Sequence, residues 1–268
     1  MIIDAHQHFW RYNDREFGWI AKESLCRDFV PKDLIGELSA GAKTIAVEAR
    51  QSLEETQQLL EYAEKYDFIA GITGWLDLCA MDNGCSPILN SQLSILNSSR
   101  LVAVRHVVQD EPDDEFILRE DFNRGVDIVG KAGKAYEILV FQRQLKNAIK
   151  FADRHPDMRL VLDHLGKPAG ALNAEWMKLI REMAKRENVW CKVSGLVTEV
   201  GKVDFAPYVE TVLEAFGPKR VMWGSDWPVV TADLSYSEWF SAAKQLLPEE
   251  CLGATAVKFY GIYDIIRA

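Results

Sequence analysis

The sequence has no hydrophobic run that approaches the roughly 20 residues of a bilayer-spanning helix, so a helical membrane protein is excluded from the outset. It is also short of positive charge. With 31 lysines and arginines against 40 aspartates and glutamates it carries a net charge of −9, which argues against nucleic acid as a partner because the phosphates are repelled overall. Cysteine is sparse and odd in number. Cys26, Cys79, Cys85, Cys191 and Cys251 are scattered, so no complete disulfide framework can be drawn, and a reducing, cytoplasmic location is the simpler expectation. Cys79 and Cys85 flank a loop, but a metal there needs a second Cys or His pair that the neighbouring sequence does not supply. No Gly-x-Gly-x-x-Gly follows an early strand, which removes the support for a dinucleotide-binding, doubly wound sheet. The opening residues read as a strand rather than as a signal peptide. Histidine is scarce as well, at five residues, and its placement carries information.

What is present is an alternation. Thr44–Ala49, Phe68–Leu76, Leu101–Val104, Tyr136–Val140, Arg159–Leu162, Val189–Val193 and Arg220–Trp223 are apolar, β-branched runs of the kind buried on both faces of a parallel sheet. Together with the first residues, led by Ile2 and Ile3, they make eight strands. Helical patterns fall between them at about residues 33–38, 53–66, 88–96, 122–132, 145–154, 175–186 and 208–216, and Ser52 with Glu55 has the spacing of a capping box. Eight strand and helix units in 268 residues, with no linker or low-complexity stretch, predict one (β/α)8 TIM barrel domain over residues 1–268.

In such a barrel the polar residues at the C-terminal strand ends carry the chemistry, because apolar layers fill the interior below them. Those ends hold His6 and His8, Glu48, Arg105 and His106, His164, Lys192 and Asp226. Four of the five histidines fall there. The fifth, His155, precedes Pro156 at a helix end and reads as a solvated cap. A His-x-His pair is common by chance, but three imidazoles and one carboxylate at one barrel mouth suffice for a divalent ion that keeps a position open for water. His6, His8, His164 and Asp226 are therefore the candidate metal ligands, with zinc the usual choice for nitrogen-rich donors. Asp226 is also the candidate general base. Asp163 reads as a residue that orients His164 or Lys167. Trp176, Trp190 and Trp239 read as packing.

The motifs Asp4-Ala5-His6-Gln7-His8-Phe9-Trp10, Leu162-Asp163-His164-Leu165-Gly166-Lys167-Pro168, Cys191-Lys192-Val193-Ser194-Gly195-Leu196 and Gly224-Ser225-Asp226-Trp227-Pro228 resemble the amidohydrolase superfamily. The resemblance runs from the first residues to Phe259-Tyr260 and is to the amidohydrolase-2 branch, in its group of sugar lactonases acting on lactones such as L-fuconolactone and L-rhamnonolactone. It implies a barrel with metal or catalytic positions at His6, His8, His164 and Asp226, and Arg105-His106 fits the group's pattern. It implies no bridging lysine on the fifth strand, which indeed ends without one. Relatives of this kind include some that work without metal, and Arg105, His106 and Lys192 then become the cations that polarise the carbonyl.

Two reactions remain open to such a site. In the first, an activated water opens a small neutral sugar lactone, with Asp226, His106 and Arg105 catalytic and Trp10, Glu48, Trp75, Lys192 and Trp227 around the substrate. In the second, a metal-dependent decarboxylase holds a carboxylated substrate through Arg50, Arg105 or Arg143. A binding protein without catalysis is the weakest alternative, since all the polar strand ends are retained together. No feature assigns an oligomeric state.

Overall fold

In a computed structural model, which describes residues 1–81, 87–201 and 203–267, eight strands lie side by side in chain order. They are β1 (Ile3–Gln7), β2 (Lys43–Val47), β3 (Ile69–Gly74), β4 (Leu101–His106), β5 (Ala135–Ile138), β6 (Leu160–Leu162), β7 (Val189–Val193) and β8 (Val221–Trp223). All seven pairings are parallel, so each return passes through a helix or loop on the outside. Closure occurs just beyond the ends of β1 and β8. The Asp226 amide donates to the His6 carbonyl at 2.8 Å, and the His8 amide to the Trp227 carbonyl at 2.6 Å. Asp4 reinforces the seam, its Oδ1 accepting from the Ser225 amide at 2.8 Å. Gly224 is required here, because a Cβ would stand 2.6 Å from the Cβ of His6. The sheet thereby becomes the (β/α)8 TIM barrel that the alternation predicts.

The helices follow from apolar spacing and their caps. In Leu53–Lys65 the buried Leu59, Leu60 and Ala63 face the barrel, and Ser52 Oγ accepts from the Glu55 amide at 3.1 Å. Glu55 does not complete the capping box. Its Oε2 turns back to accept from the amides of Ala49 and Arg50 at 3.0 and 2.7 Å, bracing the loop after β2. The segment after Pro31 is a single turn, Pro31–Leu34, shorter than its pattern suggests. The helix Ala174–Met183 also stops early, because Lys185 and Arg186 bond three residues back, to Glu182 and Met183, and tighten the last turn.

Most of the core lies between barrel and helices, with Trp176, Trp223, Trp239, Phe122 and Phe151 fully buried. A second apolar cluster joins Ile3, Ala5, Ile45, Val47, Ala135, Val161 and Met222 to Phe259 and Tyr260 of the helix Ala254–Tyr260. Two packing tryptophans also anchor loops. Trp176 donates to the Leu165 carbonyl at 2.9 Å and Trp239 to the Gly224 carbonyl at 3.0 Å, fixing the segments that follow β6 and β8. His155 departs from expectation. It is buried rather than solvated, with Nε2 2.8 Å from Asn123 Oδ1 and Nδ1 3.0 Å from Asp127 Oδ1, so it ties two helices together. Among the described residues no helix is long and apolar enough to cross a membrane. Cys79 is half-buried, and Cys85 lies outside the described residues.

Candidate active site

Two strand ends, those of β1 and β8, bring His6, His8 and Asp226 together. His6 and His8 oppose their Nε2 atoms at 3.2 Å, and Asp226 Oδ1 lies 3.3 Å from His8 Nε2 and 3.8 Å from His6 Nε2. The orientation of His8 is fixed from behind, where its Nδ1–H donates to the Val47 carbonyl at 2.8 Å and so leaves the Nε2 lone pair facing inward. His164 enters from the loop after β6, with Nδ1 2.9 Å from Ser194 Oγ. Asp226, His164, Leu165 and Lys167 all hold positive φ, conformations in which residues with a side chain are strained and which persist only where the surroundings enforce them. Gly195 makes room for the His164 ring, since a Cβ there would approach its Nδ1 to 2.5 Å.

Directly beneath lies a buried layer of ion pairs. Arg105 donates from Nε to Glu48 Oε1 at 2.8 Å and from Nη1 to Asp163 Oδ2 at 3.0 Å. Lys192 Nζ donates to Glu137 Oε2 at 2.6 Å and lies 3.0 Å from Asp163 Oδ1 and 3.1 Å from His6 Nδ1. Glu137 Oε1 further accepts from Thr73 at 2.8 Å and from the Tyr260 hydroxyl at 2.6 Å. Burial pushes the Glu48 and Glu137 carboxyls up, against the pull of Arg105 and Lys192. Asp163 goes the other way. Burial alone raises it, but Lys192, His6 and Arg105 together hold it well below the usual carboxylate range. Burial keeps His6 neutral, helped by Lys192, and brings His164 down to about 4. Asp226 is also held ionised, as His164, His8 and Lys167 outweigh its burial.

The donor set suits a divalent cation. Among the described residues, His6, His8 and Asp226 form one set of buried ligand atoms within 4.8 Å of one another, and His6, Asp163 and His164 form another. The expected quartet is therefore divided, with His6 common to both halves. The charges agree in sign, since the carboxyls of Glu48, Glu137, Asp163 and Asp226 gather around His6 with Arg105 and Lys192 between them. Glu48 Oε2 is buried without a hydrogen bond.

A cavity of about 460 Å³ opens above this floor, and His8, His164, Arg105 and Asp226 all reach it. Other residues expected there do not. His106 is turned away, stacked on Phe116 at 4.9 Å, with Nε2 2.7 Å from Glu111 and Nδ1 receiving the Trp75 indole N–H at 3.3 Å. That contact also holds Trp75 out of the cavity. Trp10 donates to the Arg27 carbonyl and packs on Phe17 and Phe29, and Trp227 packs on Phe9 and Phe29. Glu48 and Lys192 are fully buried in the layer below. The aromatic at the rim is instead Trp19, 47% exposed. Glu16, Arg50, Gln51, Gln109, Lys167 and Glu199 complete the wall. Of the residues the sequence reading passed over, Glu137 was visible as a lone acid inside an apolar strand, whereas Gln109 and Glu199 sit in loops without any pattern.

The amidohydrolase family model matches residues 3–262. The chain belongs to the amidohydrolase family. It is 37% identical to the L-fucono-1,5-lactonase of Burkholderia multivorans, over 97% of this chain and 96% of that one. It is 35% identical to the L-fucono-1,5-lactonase of Burkholderia ambifaria, over 85% and 80% of the two chains. A crystal structure of an amidohydrolase from Burkholderia multivorans with bound zinc superimposes with a TM-score of 0.87 at 37% identity, covering 97% of this chain and 99% of that one.

Proposed function

We propose that this amidohydrolase opens the ring ester of a sugar lactone, an aldonolactone such as L-fuconolactone, to the free sugar acid. The observation that carries the reading is the Asp226 carboxylate on the cavity floor, 3.3 Å from His8 Nε2. Asp226 accepts a proton from water as the water oxygen bonds to the lactone carbonyl carbon. When the ring C–O bond of the tetrahedral intermediate breaks, the leaving alkoxide takes that proton back. His8 and His164 orient the carboxylate, and Arg105 is the buried cation that reaches the cavity and stabilises charge on the carbonyl oxygen. Lys192 and Glu48 act from below, by holding His6 and Arg105 in place. His6, His8 and Asp226, with His164 beside them, would hold a divalent metal, which when bound would supply Lewis acidity and lower the pKa of water. Zinc is the favoured ion for so imidazole-rich a set.

The lactonase relatives at 35% and 37% identity support this substrate class. The decarboxylase alternative is not favoured. It needs unpaired cations for a carboxylated substrate, whereas Arg50 is paired with Glu16, Lys167 with Glu199 at 3.0 Å, and Arg143 with Asp114 at 2.9 Å. The unpaired thiols of Cys26, Cys79, Cys191 and Cys251 suit a cytoplasmic setting. The test is hydrolysis of an aldonolactone panel followed by pH indicator, before and after chelation. Turnover by the wild type and its loss in Asp226→Asn are expected; a wild type that opens no lactone under either condition refutes the reading.

A further inference from the structure

One ion pair belongs to the cavity wall rather than to the buried layer below it. Lys167 and Glu199 both line the cavity above Asp226, with Nζ 3.0 Å from Oε1, and their side chains are 13% and 19% exposed. Both are tied to the loops that build the reaction centre. The Lys167 amide donates to the His164 carbonyl at 2.8 Å, and the Glu199 amide to the Gly195 carbonyl at 3.1 Å. Gly195 in turn packs against the His164 ring. Lys167 keeps this place with φ at 47°, a left-handed conformation that strains a residue with a Cβ and persists only where the surroundings enforce it. Stability is a poor reason for such a pair, since a partly solvated ion pair is worth little. An ammonium carries several N–H donors and a carboxylate several lone pairs. Among the described residues neither head group has a second polar partner, the remaining contact of Lys167 being the Phe141 ring at 5.2 Å.

We infer that Lys167 and Glu199 form a diol-binding subsite that selects polyhydroxylated lactones over deoxygenated ones. The inference rests on the lactonase reading and extends it to specificity. A hydroxyl both accepts and donates, so one sugar hydroxyl can accept from Lys167 Nζ–H while its own hydrogen goes to the Glu199 carboxylate. The 3.0 Å between the two head groups also matches the spacing of neighbouring hydroxyl oxygens on a sugar ring, so a vicinal diol can engage both at once. A carboxylate or phosphate satisfies the ammonium but is repelled by Glu199. An apolar ring satisfies neither and strips water from both charges. Sites built to bond a hydroxyl reject analogues that lack it far more strongly than apolar pockets do, because their own groups are then left unpaired.

The test removes the pair without changing the net charge of the wall, in the double variant Lys167→Met with Glu199→Gln, alongside each single variant. Kinetics are measured on L-fuconolactone, L-rhamnonolactone and the hydroxyl-free δ-valerolactone, with thermal unfolding to verify folding. In the double variant KM for the hydroxylated lactones rises about ten-fold or more, and kcat/KM for δ-valerolactone falls by far less, so the preference for the hydroxylated substrates shrinks. A folded double variant with unaltered KM for the hydroxylated lactones, or with equal losses on all three substrates, overturns the inference while leaving the lactonase reading intact. A wild type inactive on every lactone overturns both.

Discussion

Replacing Lys192 with methionine tests the charge layer under the site most directly. The ammonium is fully buried, 2.6 Å from Glu137 and 3.0 Å from Asp163, so its removal leaves Glu48, Glu137 and Asp163 facing Arg105 alone. Breaking a buried pair from one side costs about 3–5 kcal/mol, because a charge remains without compensation. A second route gives the same size. The layer can instead take up a proton on Glu137, and protonating a carboxyl of ordinary value 4.5 at pH 7 costs about 3 kcal/mol. Lys192→Met is therefore expected to lower stability at pH 7 by about 3 kcal/mol, or roughly 10 °C in Tm. The second route fixes the pH dependence. At pH 5 protonation of Glu137 costs only about 1 kcal/mol, so most of the deficit should vanish. The double variant Lys192→Met with Glu137→Gln keeps an Oε1 acceptor for Thr73 and Tyr260 and should recover at least half of the loss at pH 7. Urea unfolding of the three proteins at both pH values decides the matter. If Lys192→Met lies within about 1 kcal/mol of the wild type at pH 7, the layer is not a set of mutually compensated ions and the reasoning fails.

Asp226→Asn should reduce kcat on an aldonolactone by about 10²–10⁴-fold with little effect on folding; retention of a tenth of the activity argues against the proton-transfer role. Gly195→Ala combines a left-handed backbone, worth about 1–2 kcal/mol, with a clash on the His164 ring, so it should lower both Tm and kcat; a crystal structure with His164 unmoved contradicts that account. Exhaustive chelation should lower Tm, and zinc should restore it in a concentration-dependent manner, as expected for a ligand that binds only the folded state; a Tm blind to both speaks against metal binding. Burial and the nearby Glu48 raise the Glu55 carboxyl from 4.5 to about 8. The folded state thus holds that proton more tightly than the unfolded one, and the stability it contributes is complete below pH 4.5 and is lost as pH rises to about 8. Glu55→Gln should flatten this decline, which unfolding curves between pH 5 and 9 would reveal.

The barrel was legible in the sequence because apolar strands buried on both faces and one-sided helices are local patterns, and eight such units leave a closed parallel sheet as the economical way to cover them. The same logic placed His6, His8, His164 and Asp226 at the mouth, since the position of a residue at a strand end is fixed by its own segment. Where those side chains point was decided by distant contacts. His106 and Arg105 are adjacent in β4, yet Glu48 and Asp163 draw Arg105 under the cavity while Trp75, Phe116 and Glu111 hold His106 outside it. Trp10 and Trp227 have the composition of a sugar-binding wall, but hydrophobic packing against Phe29 claims both. The partnership of Glu137 with Lys192 spans 55 residues, and that of Glu137 with Tyr260 spans 123. Sequence alone determined which residues arrive at the C-terminal face, through short-range periodicity. Tertiary structure alone decided which of them meet the cavity, because at that face competing charges and apolar surfaces from all eight strands settle each rotamer together.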